Sequence, residues 1–548
     1  MTVTPPPEAA ETTEHTLSAS SPRGKKVYPL IAVLGTGLLF RLLAAWAPIT
    51  TLVQKTLPDD AFYYFAIAQN VWNGSGVSVD GLTQTNGFHP LWALLILPIY
   101  GIFRSGDLPI HIVLSLAAVL ELGTAWLSYR SVQHLTGSTK AGALAAALIY
   151  LNPLVAMESL NGLETALSLF CAALTFYVVV RCILSATVVA TRCWAALGGA
   201  IGIMLLARTD NVLLAVCLGL YVLWLRRQRL GATIAGLARS AVVAGLLLLP
   251  WLYWNQSTFG SIVQSSAVAA PAVFRRALWQ PLSQGVPLIQ IWQEGLWPVV
   301  YLSLLLAFRY AGVAWTALAV GILLQRLVCH KWPSAARHSQ WLSPLLVPGV
   351  AALLLLVVHT FVRWYPRSWY FVPLAWASAL VAGAGLARLS ERLGECHGRH
   401  IIPRVGAALV VLLLGLQGIK SWQAGFYPWQ GYMLDGARWV AAETLPDTVV
   451  ASFNSGLQAY YGERQIVNLD GVVNWDAARA MENRSLFDYA ASMDVEYMVD
   501  YEAYIFGQYG PYLGIDGAAC LEQQAVLSPE YPPYGAVKAY TLHPDCTD

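Results

Sequence analysis

Long apolar runs separated by short polar loops fill residues 27–420 and predict a helical protein that crosses a membrane many times. Most of these runs are rich in Leu and Ala and are long enough to cross about 30 Å of hydrocarbon. We predict eleven spans, at residues 27–46, 110–129, 141–156, 165–180, 194–206, 212–225, 232–254, 297–324, 342–359, 370–389 and 405–419. The apolar stretch 89–103 is short for a span, and we expect it to form a helix against the outer face of the membrane.

The distribution of Lys and Arg sets the expected orientation of the spans. Basic clusters precede the first run (Arg23, Lys25 and Lys26) and recur in alternate loops, as in residues 226–229. Short basic loops stay on the cytoplasmic side, so the predicted protein is a multi-pass protein of the cell inner (plasma) membrane. Its N-terminus is then cytoplasmic and its C-terminal part extracytoplasmic. Residues 1–26 are rich in Pro, Thr, Ser and Glu and are expected to be disordered.

Residues 421–548 have a different pattern, in which short β-rich runs alternate with turns. The expected strands are 448–453, 465–469, 497–499 and 537–542, with a helix at 436–443. The predicted fold class is therefore an all-α polytopic membrane domain, 27–420, followed by a small extracytoplasmic α/β domain, 421–548. Cys520 and Cys546 lie near the C-terminus, where an oxidising compartment would permit a disulfide between them.

Composition agrees with a membrane protein and narrows its partners. Of 548 residues, 57% are hydrophobic and only 12% charged, and the formal net charge is +2. This balance, without a basic tract, argues against a nucleic-acid partner. The chain has neither a GxxxxGK[ST] nor a GxGxxG nucleotide-binding motif, and no Cys/His metal spacing. A sugar donor used on the outer face would then be linked to a lipid phosphate rather than to a nucleotide.

On the predicted topology, the polar motifs of the apolar region gather on the outer face. Charged groups at span ends are costly unless they are solvated or paired, which suggests that these motifs share one cavity. The candidate residues are Asp59, Asp60, Asn86, His89, Glu158, Glu164, Arg208, Asp210, Gln264, Arg363, Tyr365 and Arg367.

Asp59 and Asp60 follow Pro58 in the first outer loop, residues 49–108, and start a predicted helix. Acidic residues at a helix N-terminus commonly satisfy free N–H groups and the helix dipole. A carboxylate can also act as general base towards a sugar hydroxyl when the leaving group is good. The two readings are compatible, since one residue can cap while the other projects into the cavity. Of the two, we favour Asp59 as the base.

The remaining candidates each have a structural and a functional interpretation. His89 either binds a phosphate or hydroxyl or caps the outer helix, and Glu164 is a helix-start acid or a ligand. Arg208 and Asp210 form either an ion pair or part of the site. Asn86, His89, Glu164 and Asp210 are our candidates for binding the acceptor or sugar.

The basic motif at residues 363–367 is unusual for an outer face. Arg363 and Arg367 flank Tyr365, and their planar guanidinium groups are suited to hold a phosphate. Interfacial snorkelling is the alternative role. Arg208, Gln264, Arg363, Tyr365 and Arg367 are our candidates for the donor phosphate.

Residues 59–92 resemble a motif of the GT-C superfamily, polytopic glycosyltransferases that use polyprenyl-phosphate-linked sugars. The resemblance rests on Asp59-Asp60-Ala61-Phe62-Tyr63 and on Thr85-Asn86-Gly87-Phe88-His89-Pro90-Leu91-Trp92. The 162–165, 208–210 and 455–474 segments also resemble this group, whose cousins include mycobacterial terminal arabinofuranosyltransferases and protein O-mannosyltransferases.

The resemblance implies an inverting transferase of the cell envelope or cell wall, whose first-loop acid deprotonates the acceptor. The donor would be a polyprenyl-phosphate sugar, and the acceptor an extracytoplasmic glycan, lipid or protein at the bilayer surface. No cofactor is certain; a divalent metal would have Asp59, Asp60 and Glu164 as its ligands. A transporter or flippase of lipid-linked sugars is the alternative, although such sites usually lie near the membrane midplane. A third hypothesis is an adaptor whose outer domain only binds a partner.

Overall fold

The structure is a computed structural model that describes residues 28–104, 106–269, 271, 281–329, 341–361, 366–397, 401–514 and 517–543. It is mostly helical, with one small sheet near the C-terminus. The helices before this sheet are α1 Tyr28–Ala45, α2 Ile49–Lys55, α3 Asp59–Asn73, α4 Pro90–Ile102, α5 Leu108–Thr136, α6 Thr139–Tyr150, α7 Pro153–Ser159, α8 Thr165–Val178, α9 Thr191–Ala207, α10 Val212–Leu225, α11 Leu230–Phe259, α12 Trp297–Cys329, α13 Leu342–Phe361, α14 Val372–His397 and α15 Ile401–Ala424. The predicted fold class, a polytopic helical protein with a small C-terminal sheet domain, is confirmed.

Fewer of the described helices meet the length and hydropathy of a membrane span than the eleven that we predicted. Six are long and apolar enough to cross a membrane, or eight if each of the two bent pairs α1–α2 and α6–α7 is one span. Three other predicted spans correspond to the shorter apolar helices Thr191–Ala207, Thr209–Leu225 and Ala408–Ala424. Eleven spans therefore stays a prediction. The short apolar stretch that we expected to lie against the outer face forms α4.

Buried polar contacts tie the helices together. Arg41 of α1 donates from Nε and Nη2 to the two carboxylate oxygens of Glu121 on α5, each at 2.6 Å. The same guanidinium donates to the carbonyl of Tyr150 at the end of α6 and lies 3.9 Å from the centre of that ring. Because both charges are buried, the pairing and these extra contacts are what make the arrangement tolerable inside the protein.

The C-terminal domain places helices against a five-stranded sheet. Its elements are α16 Gln430–Glu443, β1 Val449–Ser452, α17 Ser455–Tyr461, β2 Gln465–Asn468, α18 Trp475–Asn483, α19 Leu486–Ser492, β3 Val495–Tyr501, β4 Leu521–Val526 and β5 Val537–Leu542. The strand order is β2-β1-β3-β5-β4, with β2, β1 and β3 parallel and the last two strands antiparallel to their neighbours. Parallel pairing requires the crossovers that α17 and the helices after β2 provide.

The sequence pattern located four of the five strands but missed β4. Its central residues Glu522, Gln523 and Gln524 are exposed, because β4 is an edge strand with little buried apolar face. Alternating hydrophobicity is therefore absent from it. Cys520 precedes this strand, is buried and is disulfide-bonded. Cys546 lies outside the described residues, so the pairing of these two cysteines stays a prediction.

Candidate active site

The first turn of α3 is the point at which the helical region and the C-terminal domain meet. Pro58 has an extended backbone, which starts the helix directly after it, and Gly74 ends the helix with a φ of 87°. In a helix, residues four apart share a face. Asp59 therefore lies below Tyr63, and Asp60 lies below Tyr64. The two adjacent acids thus lie on different faces of α3.

Asp59 is bound to the C-terminal domain. Its carboxylate accepts hydrogen bonds from the backbone N–H groups of Gly456 and Leu457, at 3.0 and 2.7 Å, at the start of α17. The side-chain carbonyl of Gln430 accepts from the Asp59 N–H at 2.7 Å. Burial raises the pKa of the Asp59 carboxyl to about 8, and the two N–H donors act in the opposite direction. Capping in trans thus occupies both oxygens of Asp59.

Asp60 is half-buried and lies in the electrostatic field of groups from other elements. Burial raises the pKa of its carboxyl, the positive charge of Arg367 lowers it, and Glu164 raises it further. Asp60 precedes Tyr64 by one helical turn, so it shares a face of α3 with the residue whose hydroxyl binds Glu164. Asp59 and Asp60 therefore have different environments, and which of them acts as the base stays a prediction.

On the Tyr64 side, a chain of charged groups leads from α3 to α13. The Tyr64 hydroxyl donates to Glu164 Oε2 at 2.8 Å, and Arg208 Nη1 donates to Glu164 Oε1 at 3.0 Å. Arg208 Nε also lies 3.4 Å from Asp210 Oδ2, to which His359 Nε2 is 3.0 Å distant. Arg208 is buried among these partners. The predicted ion pair, Arg208 and Asp210, and the predicted ligand Glu164 therefore belong to one network.

His89, in the loop that precedes α4, joins this network, and Gln264, in the segment that follows α11, contacts the same loop. His89 Nε2 lies 3.6 Å from Glu164 Oε1, and its backbone N–H donates to the Tyr64 hydroxyl at 3.0 Å. Gln264 donates to the carbonyl of Phe88, and its Nε2 is 3.5 Å from His89 Nδ1. These contacts bring the predicted loop residues beside Glu164.

Asn86 is fully buried and serves as a junction between loops. Its amide oxygen accepts from the Ser265 N–H at 3.1 Å and from the Trp475 indole at 2.8 Å, and its nitrogen donates to Asn255. With its side chain so engaged, Asn86 links α3's loop to the C-terminal domain. Asn86, which we had selected for acceptor binding, therefore holds neighbouring segments together, and its role in binding stays a prediction.

The loop between β2 and α18 also contacts α3. It contains an acid, Asp470, that we did not select from the sequence. Asn468 at the end of β2 donates to the Tyr63 hydroxyl at 3.3 Å. Asp470 accepts from the Val472 N–H at 2.8 Å. Burial raises the pKa of the Asp470 carboxyl to about 7, Asp60 raises it as well, and Arg367 lowers it. The signal in the sequence that could have pointed to Asp470 was the segment around it, 468–474, which resembles the extracytoplasmic domain of the GT-C group.

The other predicted site residues divide into two groups. The charge of Arg367 lowers the pKa of both the Asp60 and the Asp470 carboxyl, and its guanidinium is 5.9 Å from the centre of the Trp369 ring. Arg363 and Tyr365 lie outside the described residues. Among the described residues, no three His, Cys, Asp or Glu side chains are close enough together to hold a metal ion. The proposed trio Asp59, Asp60 and Glu164 is therefore not assembled as a metal centre.

An apolar cavity of about 470 Å³ lies against Tyr64. It is bounded by α3, α4, α9 and α11, and its walls include Phe88, Ala93, Leu97 and Trp251. Because the hydroxyl of Tyr64 binds Glu164 while the ring lines the cavity, the apolar space ends beside the charged network. Such a cavity can take a hydrocarbon chain whose polar end meets the charges.

Comparisons with known proteins agree with this architecture. The family model for dolichyl-phosphate-mannose-protein mannosyltransferases matches residues 89–254, and a domain of unknown function matches residues 424–542. No curated protein matches the chain significantly.

Three solved structures are similar to almost the whole chain. ArnT of Cupriavidus metallidurans, bound to undecaprenyl phosphate, has a TM-score of 0.57 at 13% identity, over 95% of this chain and 99% of its own. The apo oligosaccharyltransferase of Archaeoglobus fulgidus has a TM-score of 0.57 at 16% identity, over 95% and 75%. The oligosaccharyltransferase AglB of Archaeoglobus fulgidus, with an inhibitory peptide and a dolichol-phosphate, has a TM-score of 0.52 at 15% identity, over 95% and 75%.

These likenesses show that the chain has the GT-C fold, a fold class of membrane glycosyltransferases, which is the fold that the resemblance of residues 59–92 implied. Within that class, the sequence match is to the mannosyltransferases and covers α4 through most of α11. The chain thus combines this fold with a partial sequence match to a mannosyltransferase family, and six to eight of its described helices, counting the bent pairs, are long and apolar enough to cross a membrane.

Proposed function

We propose that the protein transfers one sugar from a polyprenyl-phosphate donor to a hydroxyl of an extracytoplasmic acceptor, with Asp60 as the general base. The observation that carries this proposal is the division of labour in the first turn of α3. Both carboxylate oxygens of Asp59 accept hydrogen bonds from the N–H groups of Gly456 and Leu457. Asp60 shares a face of α3 with Tyr64, whose hydroxyl binds Glu164, and the charge of Arg367 lowers the pKa of the Asp60 carboxyl.

The lipid donor is supported by the position of the apolar cavity. A prenyl chain in the cavity beside Tyr64 would bring its phosphate to the charged network that contains His89 and Arg208. Arg208 and Arg367 are the guanidinium groups that would balance the phosphate charge. The similar ArnT and AglB structures were solved with undecaprenyl phosphate and a dolichol-phosphate respectively.

The reaction we propose is a single displacement with inversion. The acceptor oxygen attacks the anomeric carbon from the face opposite the phosphate, and Asp60 takes the proton of that hydroxyl. The bond between the anomeric carbon and the phosphate oxygen breaks, and its electron pair leaves with the polyprenyl phosphate. Arginine side chains stabilise the charge that develops on this leaving group. A raised carboxyl pKa increases basicity towards the hydroxyl proton in the transition state.

The orientation we propose follows from the basic loops. The N-terminus is cytoplasmic, the C-terminal domain is extracytoplasmic, and the membrane is the inner membrane. Arg226 at the end of α10 donates to the carbonyls of Ile183 and Ala186, so two of the basic loops lie at the same end of the helical region. This is the arrangement that the positive-inside bias favours.

Asp60→Asn is the variant that tests the base. The full chain is incubated in detergent with farnesyl-phosphate-linked mannose, glucose, galactose and arabinose, together with an envelope glycan extract. Release of farnesyl phosphate is measured for each donor. We expect Asp60→Asn to lower the rate by about 10²–10⁴-fold, the range for loss of a general base.

The controls separate catalysis from folding and from transport. Asp435→Asn changes an exposed acid on α16 that pairs with Arg438 three residues away, and should leave the rate unchanged. Full activity of Asp60→Asn would refute the base assignment. Translocation of the donor by wild-type protein without release of farnesyl phosphate would instead support the flippase alternative.

A further inference from the structure

Glu158 of α7 is a fully buried carboxylate that the proposed reaction does not use. Both of its oxygens accept hydrogen bonds. The Tyr310 hydroxyl of α12 donates to Oε1 at 2.7 Å, and the Asn161 amide donates to Oε2 at 3.1 Å. Asn152, between α6 and α7, donates to the backbone carbonyl of Tyr310 at 2.8 Å. Glu158 therefore joins the long helix α12 to the loop 160–164 that follows α7.

The orientation of the Asn161 amide is set by its other contacts. Its oxygen accepts from the backbone N–H of Leu163 at 3.0 Å, and a backbone N–H can only donate. The amide nitrogen then faces Glu158 and the Thr165 hydroxyl, which is 3.0 Å away. A carboxylate, whose two oxygens both accept, is the side chain that fits this donor.

The turn that Asn161 shapes is packed between α3 and α4. Gly162 has a φ of 73°, and a Cβ there would lie 2.9 Å from the ring of Phe65. From the other side, the Trp92 indole donates to the Gly162 carbonyl at 2.8 Å. Because Glu164 follows this turn directly, a change in the turn changes the position of Glu164.

Glu164 connects the turn to the proposed donor site. The Tyr64 hydroxyl donates to one of its oxygens at 2.8 Å, and Arg208 donates to the other at 3.0 Å. Asp210 lies farther from the Arg208 guanidinium, at 3.4 Å. The position of Glu164 therefore sets the direction in which Arg208 points.

We propose that Glu158 is a positioning residue of the donor site and that it acts through the Asn161 amide. These two side chains fix the position of Glu164, and Glu164 orients Arg208 for a polyprenyl phosphate. The inference rests on the proposed function for the identity of the ligand, but it concerns binding and requires no transfer. Since Glu158 is fully buried beneath its partners, it needs no contact with the ligand.

Exchanging the two side chains tests the proposal. Glu158→Gln brings an amide donor to face the Asn161 donor, and Asn161→Asp brings two carboxylates together, so each single substitution removes the hydrogen bond. The double variant restores this bond with donor and acceptor exchanged. In the double variant, the new Gln carbonyl still accepts from Tyr310, and the new carboxylate still accepts from the Leu163 N–H.

The measurement is the apparent Kd for farnesyl phosphate, without a sugar, of the full chain in nanodiscs. Isothermal titration calorimetry gives this value, with empty nanodiscs as the blank. We expect each single variant to bind about tenfold more weakly, as for the loss of a hydrogen bond to a charged group, and the double variant to bind within about twofold of wild type. Asn161→Asp should be the weaker of the single variants, because it also adds repulsion between two carboxylates.

Ser378→Ala is the matched control. It removes another buried hydrogen bond of α12, the one that Trp315 donates to Ser378 at 3.0 Å, and leaves the 160–164 loop unchanged. We expect this variant to bind farnesyl phosphate as wild type does. Equal weakening by Ser378→Ala would show a general loss of stability and would overturn the positioning role.

The remaining outcomes decide the inference separately from the reaction. The proposal is wrong if wild-type protein does not bind farnesyl phosphate, if either single variant binds as wild type does, or if the double variant binds no better than the single ones. If a single variant does not fold, the affinity of the double variant alone decides. Restored binding in the double variant, with no farnesyl phosphate released from any sugar donor by wild type, would refute the proposed transfer and leave the positioning role standing.

Discussion

Asp59→Ala should loosen the C-terminal domain from the helical region. The substitution removes the acceptor of two buried N–H groups, those of Gly456 and Leu457. Leaving a buried donor unsatisfied costs about 1–3 kcal/mol, so the domain contact loses roughly 2–4 kcal/mol when partial rehydration is allowed for. Asp59→Asn keeps a side-chain carbonyl that accepts from one of them, and should lose about half as much.

The same pair of variants gives a pH dependence with a definite sign. The folded-state pKa of Asp59 is about 8, against an ordinary value of 3.8. The folded protein therefore holds a proton that the unfolded chain releases between these values. This contribution to stability is complete below the ordinary pKa and is lost as the pH rises through about 8, by up to about 1.4 kcal/mol per pH unit. Asp59→Asn does not titrate, so it should flatten this slope.

Thermal unfolding of the purified full chain, followed by tryptophan fluorescence from pH 5 to pH 9, measures both effects. Limited proteolysis of the connection at 424–430 reports detachment of the domain directly. We expect Asp59→Ala to be cut faster than wild type and Asp435→Asn to match wild type. Unchanged protease resistance in Asp59→Ala, or an Asp59→Asn variant with the full wild-type pH slope, would contradict the role of Asp59 as a trans cap.

Three further predictions concern the walls of the site. Glu164→Gln removes the charge that Arg208 meets at 3.0 Å, and should lower the rate of farnesyl phosphate release at least tenfold, whereas unchanged kinetics would show the ion pair to be dispensable. Gly87→Ala introduces a Cβ 2.2 Å from the Val472 carbonyl oxygen; proteolysis should show the C-terminal domain displaced, and a wild-type digestion pattern would argue against tight docking. Ala93→Trp fills the apolar cavity and should raise the KM for a farnesyl-phosphate sugar several-fold more than it lowers kcat, so an unchanged KM would place the prenyl chain elsewhere.

Much of the helical region could be predicted because apolar run length is a local property. The expected short outer helix at 89–103 corresponds to Pro90–Ile102, and the strand expected at 537–542 has the same bounds as β5. The pattern failed at β4, where an exposed edge strand carries polar side chains. Sheet order was also out of reach, since β5 pairs with β3 across a long separation in sequence.

The candidate site was predictable as a list of residues but not as an arrangement. The motif at residues 59–92 pointed to both Asp59 and Asp60, and nothing local distinguished two adjacent acids at a helix start. The distinction depends on Gly456, which lies 397 positions from Asp59. The sequence also gave no sign that the 468–474 loop contacts α3, since the bond between Asn468 and Tyr63 joins residues 405 positions apart.

The sequence by itself determined the fold class and the positions of the polar motifs, because hydrophobicity and helix starts are encoded within short windows. Only the tertiary structure decided that Asp59 accepts hydrogen bonds from Gly456 and Leu457, and that the C-terminal domain docks on the loop that contains Asn86. Those outcomes depend on docking between segments hundreds of residues apart, where hydrogen bonds between buried groups must be satisfied together.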